Sequence, residues 1–173
     1  MTFRVIIFVD HANLFHSINS MNIRIDYKKF KEILTGQDYL VGAFIYLGIP
    51  DNLFPKKRRF IDYLVSQGYV IQSRPVKSTP EGKKVQKRID IFIYRDIVEL
   101  GIEDTYDKAI LVSGDGDFIE IVRKLQYLQK EIEIWAFKHS ASKKLIEEAG
   151  EENVHFINEI LSEIRCKEKI GVL

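Results

Sequence analysis

Short apolar segments that alternate with stretches of helical character restrict the fold of this chain more than any other feature. Four such segments lie at residues 5–9, 41–47, 109–112 and 132–137, and a weaker one lies at residues 69–72. Continuous apolar strands are typical of sheets that are buried on both faces, whereas half-exposed strands alternate polar and apolar residues. The pattern therefore predicts an α/β fold in which helices cover both faces of a parallel sheet.

Helices are predicted between these strands. Capping residues and apolar periodicity place them at residues 26–34, 55–67, 89–100 and 118–125. Asp26 has the side chain of a helix N-cap, and Pro55 suits a first helical turn. Asp117 and Glu120 have the spacing of a capping box at the start of the last helix.

Size and composition predict one globular domain at residues 1–165, followed by a tail at residues 166–173. Of the 173 residues, 26 are Lys or Arg and 25 are Asp or Glu, so the chain is not a wholly basic nucleic-acid coat. Cys166 is the only cysteine, which excludes an internal disulfide and a Cys-based zinc site. Because the apolar segments are too short to span a membrane, we expect a cytoplasmic protein. A homodimer through the C-terminal helix is left open.

Aspartates follow two of the predicted strands at their carboxyl ends. Asp10 comes directly after the first strand, and Asp115 and Asp117 follow the strand at 109–112. Ligands of parallel α/β sheets bind at this edge, so these side chains are expected to lie together. Asp90, at the start of the preceding helix, is a fourth candidate. Clustered carboxylates repel one another unless a cation lies between them, and oxygen ligands favour Mg²⁺ or Mn²⁺ over zinc.

Each of these residues also has a purely structural interpretation. Asp117 has the position of a helix N-cap, Asp10 that of a cap for a helix that begins near Asn13, and Asp90 that of a solvated helix residue. The glycines on either side of Asp115 leave room for a phosphate backbone, or they form a tight turn. Only the combination of strand-end acids at one edge favours a metal site.

Two further polar residues carry open interpretations. Asp96 falls on the apolar face of its helix and therefore needs a partner, for which a lysine or arginine in a structural ion pair is favoured over a role beside the metal. His11 follows Asp10 directly. It contacts a scissile phosphate or transfers a proton, or it points away from the site.

Two basic clusters are candidates for nucleic-acid contacts. The first opens a predicted helix, where cations oppose the helix dipole, and the second precedes Asp90. Their members are Lys56, Lys57, Arg58, Arg59, Lys83, Lys84, Lys87 and Arg88. A solvated helix face is the alternative for each cluster. Phe15, Phe54 and Tyr94 are available for base stacking, and of these we expect only Phe54 to be exposed.

Three sequence elements together resemble the NYN domain in its LabA-like branch, which is related to the PIN-domain nucleases. They are Phe8-Val9-Asp10-x-x-Asn13, Lys87-x-x-Asp90 and Val112-Ser113-Gly114-Asp115-Gly116-Asp117-Phe118. They occur in the family's order within residues 4–157. The resemblance implies a PIN-like, Rossmann-like three-layer α/β/α fold with a mainly parallel central sheet, and metal-dependent endoribonuclease chemistry.

The resemblance also assigns roles to single residues. Asp10, Asp90, Asp115 and Asp117 match the acidic cluster that holds Mg²⁺ or Mn²⁺. Asn13 matches the asparagine that fixes the metal or a phosphate oxygen, and the implied partner is single-stranded RNA. The chain departs from the branch at Arg88, where glycine is common, and arginine there either contacts phosphate or partly blocks the site.

Three other classes of phosphate-handling protein share this architecture. A P-loop nucleotidase is excluded because the chain has no Gly-x4-Gly-Lys-Ser/Thr segment. A haloacid-dehalogenase-like phosphatase needs a second acid where Ala12 stands, and a receiver domain needs an aspartate where the chain reads Gln72-Ser73-Arg74. The remaining alternative is a PIN-like module that binds RNA or a protein partner without cutting.

Overall fold

The computed structural model describes residues 1–50, 55–76 and 87–166, and these residues form a six-stranded sheet with helices on both faces. The strands are β1 (Arg4–Asp10), β2 (Tyr39–Pro50), β3 (Val70–Val76), β4 (Lys108–Val112), β5 (Glu131–Ala136) and β6 (Val154–Phe156). The helices are α1 (His11–Ser20), α2 (Tyr27–Thr35), α3 (Pro55–Ser66), α4 (Lys87–Ile102), α5 (Ile119–Tyr127), α6 (Lys143–Ala149) and α7 (Leu161–Ile164). Each of the five predicted strands is present, as are the four predicted helices.

All the strand pairs of the sheet are parallel, in the order β3-β2-β1-β4-β5-β6. The chain builds outward from β1 in one direction and then returns to build outward from β4 in the other. The point where the direction reverses lies between β1 and β4, and ligands of such sheets bind in the crevice at that point. The predicted three-layer α/β fold is confirmed.

Two apolar cores cover the two faces of the sheet. Val5, Ile7 and Val9 of β1 point into the core under α1, α2 and α3. Ile6 and Phe8 point into the core under α4, α5 and α6. Because both faces of β1 are buried, its sequence is a continuous apolar run rather than an alternation.

Two local predictions need correction. Strand β6 was not predicted, because three residues with the sequence Val-His-Phe carry no apolar run. The capping box of Asp117 and Glu120 does not form: α5 begins at Ile119 and has no side-chain hydrogen bond at its N-cap, Phe118. A short 3₁₀ turn, Gly116–Phe118, precedes α5 instead, and its N-cap is Asp115.

Ion pairs link acidic and basic side chains at the amino-terminal edge of the sheet. The Arg4 guanidinium lies 2.7 Å from the Asp107 carboxylate. Lys108 Nζ lies 2.6 Å from both Asp38 and Glu133. Acidic side chains at this edge therefore have cationic partners.

None of the helices in the described part of the chain is long and apolar enough to cross a membrane.

Ser17 generates the first prediction, because its side chain is fully buried on the core-facing side of α1 and its hydroxyl has no hydrogen-bond partner among the described residues. An unsatisfied buried hydroxyl loses hydration without compensation. Ser17→Ala is therefore expected to raise the free energy of unfolding by about 1 kcal/mol in urea titrations. Asn19→Ala, on the exposed side of the same helix, is the control and should change it by less than about 0.5 kcal/mol. A destabilised Ser17→Ala protein would contradict the assignment.

Candidate metal centre

Strands β1 and β4 end side by side and bring Asp10 next to Ser113. Val9 pairs with Val112 in the sheet, so the following residue of each strand lies at the same level. The Ser113 hydroxyl donates to Asp10 Oδ2 over 2.9 Å. The two residues are only 1% and 4% exposed, so this hydrogen bond is shielded from water. Ser113 was not predicted as a site residue, although its place one step beyond Val112 was the available signal.

The second oxygen of Asp10 connects the site to α1. Asp10 is the N-cap of α1, and its Oδ1 accepts a hydrogen bond of 3.3 Å from the Asn13 backbone N–H. The Asn13 side chain in turn accepts 3.1 Å from the Gly114 N–H. Because a backbone N–H is a donor, the atom it contacts is the carboxamide oxygen, and the Asn13 NH₂ group remains oriented as a donor. Asp10 therefore caps α1 and is joined to the loop after β4 at the same time.

The loop after β4 holds Asp115 and Asp117 in a fixed arrangement. The Asp115 N–H donates to Ser113 Oγ over 3.2 Å, and the Asp117 N–H donates to Asp115 Oδ1 over 2.9 Å. Asp115, rather than Asp117, therefore serves as the cap of the following turn. The Asp117 carboxylate caps nothing and is exposed.

Gly114 and Gly116 make room for the chain itself rather than for a phosphate backbone. A Cβ on Gly114 would lie 2.5 Å from the Ser140 carbonyl oxygen. A Cβ on Gly116 would lie 2.8 Å from Ser142 Oγ. The Ser142 N–H donates to the Gly114 carbonyl over 2.9 Å. The two glycines thus let the segment after β5 pack against the loop, which favours the tight turn over the space for phosphate that the sequence also allowed.

Three of the four predicted acids converge. Asp90, in the first turn of α4, joins Asp115 and Asp117, and one oxygen of each carboxylate lies within 4.8 Å of the others. Asp10 stands beside this group, with both of its oxygens accepting hydrogen bonds. Its role as a direct metal ligand stays a prediction.

Burial and neighbouring negative charges raise the pKa of two of these acids, Asp90 and Asp10. Burial and the charges of Asp10, Asp115 and Asp117 raise the pKa of Asp90 to about 6. Burial also raises the pKa of Asp10, although the hydrogen bond from Ser113 opposes this. Among the ion pairs of the described side chains, which do not include those of Lys87 and Arg88, none involves these four aspartates.

The opposite edge of the sheet provides the comparison. There, hydrogen bonds from Arg4 lower the pKa of Asp107 to about 2. The carboxylates at the two edges therefore have different surroundings: one set has cationic partners, and the other is an acidic cluster that could hold a divalent cation.

Asp96 holds α4 against the sheet. The buried Tyr46 hydroxyl donates to Asp96 Oδ2 over 2.8 Å, and Arg95 NH2 donates to Asp96 Oδ1 over 2.7 Å. Tyr46 is the residue of β2 that pairs with Asp10 of β1. The favoured structural ion pair is confirmed, and Tyr46 is a partner that was not predicted. The contact lies less than two turns from Asp90, whose helix it positions.

His11 belongs to an aromatic cluster. Its ring centroid lies 5.6 Å from that of Phe15 and 5.4 Å from that of Phe60, and its Nε2 lies 3.4 Å from the Tyr27 hydroxyl. Burial and the charge of Lys57 lower the pKa of His11 to about 4, so the ring is neutral at neutral pH. Of the interpretations that the sequence left open, the arrangement favours a ring that points away from the acids.

The predicted basic residues are distributed as follows. Lys56, Arg58 and Arg59 are exposed on the first turn of α3, whereas Lys57 is half-buried and its Nζ donates to the Gly48 carbonyl over 2.5 Å. Of the other four basic residues, two lie outside the described residues and two are described in their backbone only. Lys83 and Lys84 lie outside the described residues, and Lys87 and Arg88 are described only as backbone in the first turn of α4.

The aromatic predictions are partly wrong. Phe54 lies outside the described residues. Phe15 is 51% exposed and Tyr94 is 38% exposed, although both were expected to be covered. The side of α1 that packs on the sheet carries Leu14 and Ile18, which leaves Phe15 turned outward.

Comparisons with known proteins agree with this architecture. The sequence pattern of the NYN domain matches residues 4–157. The chain is 28% identical over 136 residues to the Low amplitude and bright protein LabA of Synechococcus elongatus, covering 76% of this chain and 72% of that protein. It is also similar to the crystal structure of a protein of unknown function from Vibrio parahaemolyticus. That similarity has a TM-score of 0.79 and 26% identity, over 95% of this chain and 97% of the other.

The raised pKa of Asp90 predicts a pH dependence of stability in the presence of a chelator. The folded protein binds this proton more tightly than the unfolded chain, so the contribution is present at about pH 4 and is lost as the pH rises through about 6. Relative to Asp90→Asn, the unmodified protein should therefore lose stability over this range. Urea unfolding at several pH values measures the difference. Asp62→Asn, an exposed aspartate on α3, should keep the unmodified slope, and equal slopes for all three proteins would contradict the repulsion.

The close approach at Gly114 predicts that a single methyl group disturbs the site. Gly114→Ala is expected to lower the free energy of unfolding by about 1–3 kcal/mol, because the methyl group would meet the backbone of Ser140. In Gly42→Ala, the control, the nearest atom lies at an ordinary 3.5 Å. Should both variants unfold at the same urea concentration, the segment after β5 would be free to shift.

Proposed function

The chain belongs to the NYN domain family, and on this premise we propose that it is a metal-dependent endoribonuclease that hydrolyses phosphodiester bonds of single-stranded RNA. One observation carries the proposal. One carboxylate oxygen of each of Asp90, Asp115 and Asp117 lies within 4.8 Å of the others, at the point where the sheet reverses direction. The family's relation to the PIN-like nucleases supplies the reaction class and the preference for RNA.

The three carboxylates suit a small divalent cation. Mg²⁺ binds oxygen ligands at about 2.0–2.1 Å in octahedral geometry, so neighbouring ligands of one ion are about 3 Å apart and opposite ones about 4.2 Å. Oxygens that lie within 4.8 Å of one another reach such positions after side-chain movements of about 1 Å. Binding also removes the repulsion that raises the pKa of Asp90. In this proposal Mg²⁺ or Mn²⁺ is held by the three aspartates, with Asp10 beside them.

The reaction adds the oxygen of water to phosphorus and breaks one P–O bond, and the departing oxygen takes up a proton. A bound divalent ion supplies activation of the water and neutralises negative charge on the phosphoryl oxygens. The Asn13 NH₂ group, oriented through the Gly114 N–H, is the donor that the chain offers to a phosphoryl oxygen. Asp10 accepts the Asn13 N–H and Ser113 accepts the Asp115 N–H. Because Ser113 and Asp10 are themselves hydrogen-bonded, the positions of Asn13 and Asp115 are linked.

The positive side chains of α3 are assigned to the nucleic-acid backbone. Lys56, Arg58 and Arg59 are exposed in a first helical turn, where positive charge opposes the helix dipole. Bound phosphates would relieve that opposition. Each such contact increases the salt dependence of binding, because phosphate neutralisation releases counterions.

Cleavage of end-labelled RNA is the direct test. We expect cutting with Mn²⁺ or Mg²⁺, none with EDTA, and loss of cutting in Asp115→Asn, because that change removes one of the three converging carboxylates. Asp62→Asn is the matched control, since it removes an exposed carboxylate from α3 and should cut like the unmodified protein. Metal-independent cutting, or equal cutting by Asp115→Asn, would contradict the proposal. Binding of RNA without any cutting would favour the non-catalytic module.

Metal binding is tested separately from cleavage by thermal unfolding. Mn²⁺ at a hundredfold excess over its dissociation constant stabilises a protein by about 2.7 kcal/mol. The melting temperature of the unmodified protein and of Asp62→Asn should therefore rise with Mn²⁺, and that of Asp115→Asn should rise much less. A shift of the same size in all three proteins would place the ion elsewhere.

A further inference from the structure

Phe15 combines exposure with a fixed orientation. Its ring stacks on that of His11 at a centroid distance of 5.6 Å and an interplanar angle of 24°, while half of the side chain is exposed to solvent. Single exposed apolar residues are common on protein surfaces. This one differs because its inner face is already stacked, which leaves one flat aromatic surface turned outward.

Other aromatic residues support the ring below it. His11 also packs against Phe60 of α3 at 5.4 Å and lies 6.4 Å from Tyr27 of α2, ring centre to ring centre. Phe60 and Tyr27 contact each other edge to face at 5.6 Å. The surface that Phe15 presents is therefore built on a packed aromatic layer, so a ligand that stacks on it orders few additional side chains.

Phe15 lies on the helix that Asp10 caps and contacts His11, which also contacts Phe60 of α3. Phe15 follows Asp10 by five residues on the helix that Asp10 caps, which is about 7 Å of helix rise. On the other side, Phe60 directly follows Arg59 in α3, so the aromatic layer borders the exposed cations of that turn. Phe15 thus shares a helix with Asp10 and an aromatic layer with α3, and a nucleic-acid strand that contacts both elements comes within reach of its ring.

We propose that Phe15 is a stacking platform for one unpaired nucleobase, a nucleotide or two from the phosphodiester bound at the aspartates. The proposal rests on the proposed nuclease function and adds to it the residue that selects single strands. Every base has a flat face that can stack on an aromatic ring, but in a duplex both faces are covered by neighbouring base pairs. The platform therefore selects single strands without reading their sequence.

Binding to a fluorescein-labelled single-stranded RNA of mixed sequence tests this, with Asp115→Asn as the common background so that no variant cuts. Adding Phe15→Ala is expected to weaken binding about 5- to 150-fold, the range typical of one stacked base. Phe15→Tyr should bind like the parent because it keeps the ring. Phe15→Leu should bind like Phe15→Ala, since it keeps apolar area but offers no aromatic face.

Tyr127→Ala is the matched control for these variants. Tyr127 is 78% exposed at the end of α5, far from the aspartates, and its removal should leave binding unchanged. Equal losses in Tyr127→Ala and Phe15→Ala would show a general effect of surface aromatics and would overturn the proposal. So would unchanged binding in Phe15→Ala, or tight binding in Phe15→Leu.

An abasic scan locates the stacked base. One abasic position in the RNA should weaken binding to the parent but not to Phe15→Ala, because the two changes remove the same contact. Additive losses at every position would overturn the proposal.

The two proposals fail in different ways. If the protein never cuts RNA but shows this coupling between Phe15 and one base, the stacking proposal is supported and the nuclease function is contradicted. If Phe15→Ala cuts RNA as well as the unmodified protein and shows no coupling, the nuclease function is supported and the stacking proposal is contradicted.

Discussion

The buried hydrogen bond between Ser113 and Asp10 joins two parts of the chain that are 103 residues apart in sequence. Each partner makes a second contact that builds the site. Asp10 caps α1, and Ser113 Oγ accepts the Asp115 N–H, so helix α1 and the loop after β4 are both oriented by this pair. Because the pair is shielded from water, loss of either partner would leave a buried polar group unsatisfied. The arrangement of the aspartates depends on it.

Aspartates at the two edges of the sheet have different electrostatic surroundings. At the amino-terminal edge, Asp107 and Asp38 are paired with Arg4 and Lys108, which stabilises the ionised carboxylates. At the carboxyl edge, burial and mutual repulsion raise the pKa of Asp90. An arrangement that costs stability without a cation is typical of a functional site, where stability and activity conflict. The contrast within one molecule strengthens the case for a metal site.

The residues that the sequence predicted well are those placed by short-range rules. Continuous apolar runs identified the buried strands. Because the ends of parallel strands meet at one edge of a sheet, the sequence predicted that Asp10 and Asp115 lie close together. Asp90 joined them through its position at the start of a helix. The partner of Asp96 was expected to be cationic and is Arg95. In each case the periodicity of a strand or helix was enough.

Predictions failed where the outcome depends on contacts outside a single helix or strand. Asp117 has the spacing of a cap for α5, but a 3₁₀ turn capped by Asp115 comes between them. The glycines around Asp115 left open a space for phosphate or a tight turn, and contacts with the segment after β5 favour the turn. Phe15 was expected to be covered, but the core-facing side of α1 left it exposed.

The order of residues alone was sufficient for the α/β architecture, the edge at which the acids gather and the family to which the chain belongs, because these follow from local periodicity and from motifs a few residues long. Tertiary structure decided which aspartates converge, that Ser113 and Tyr46 hold them and their helices in place, and which aromatic ring faces outward. These features depend on contacts between β1, β2, α4 and the loop after β4, and no local pattern encodes the distances between segments that meet only in the folded chain.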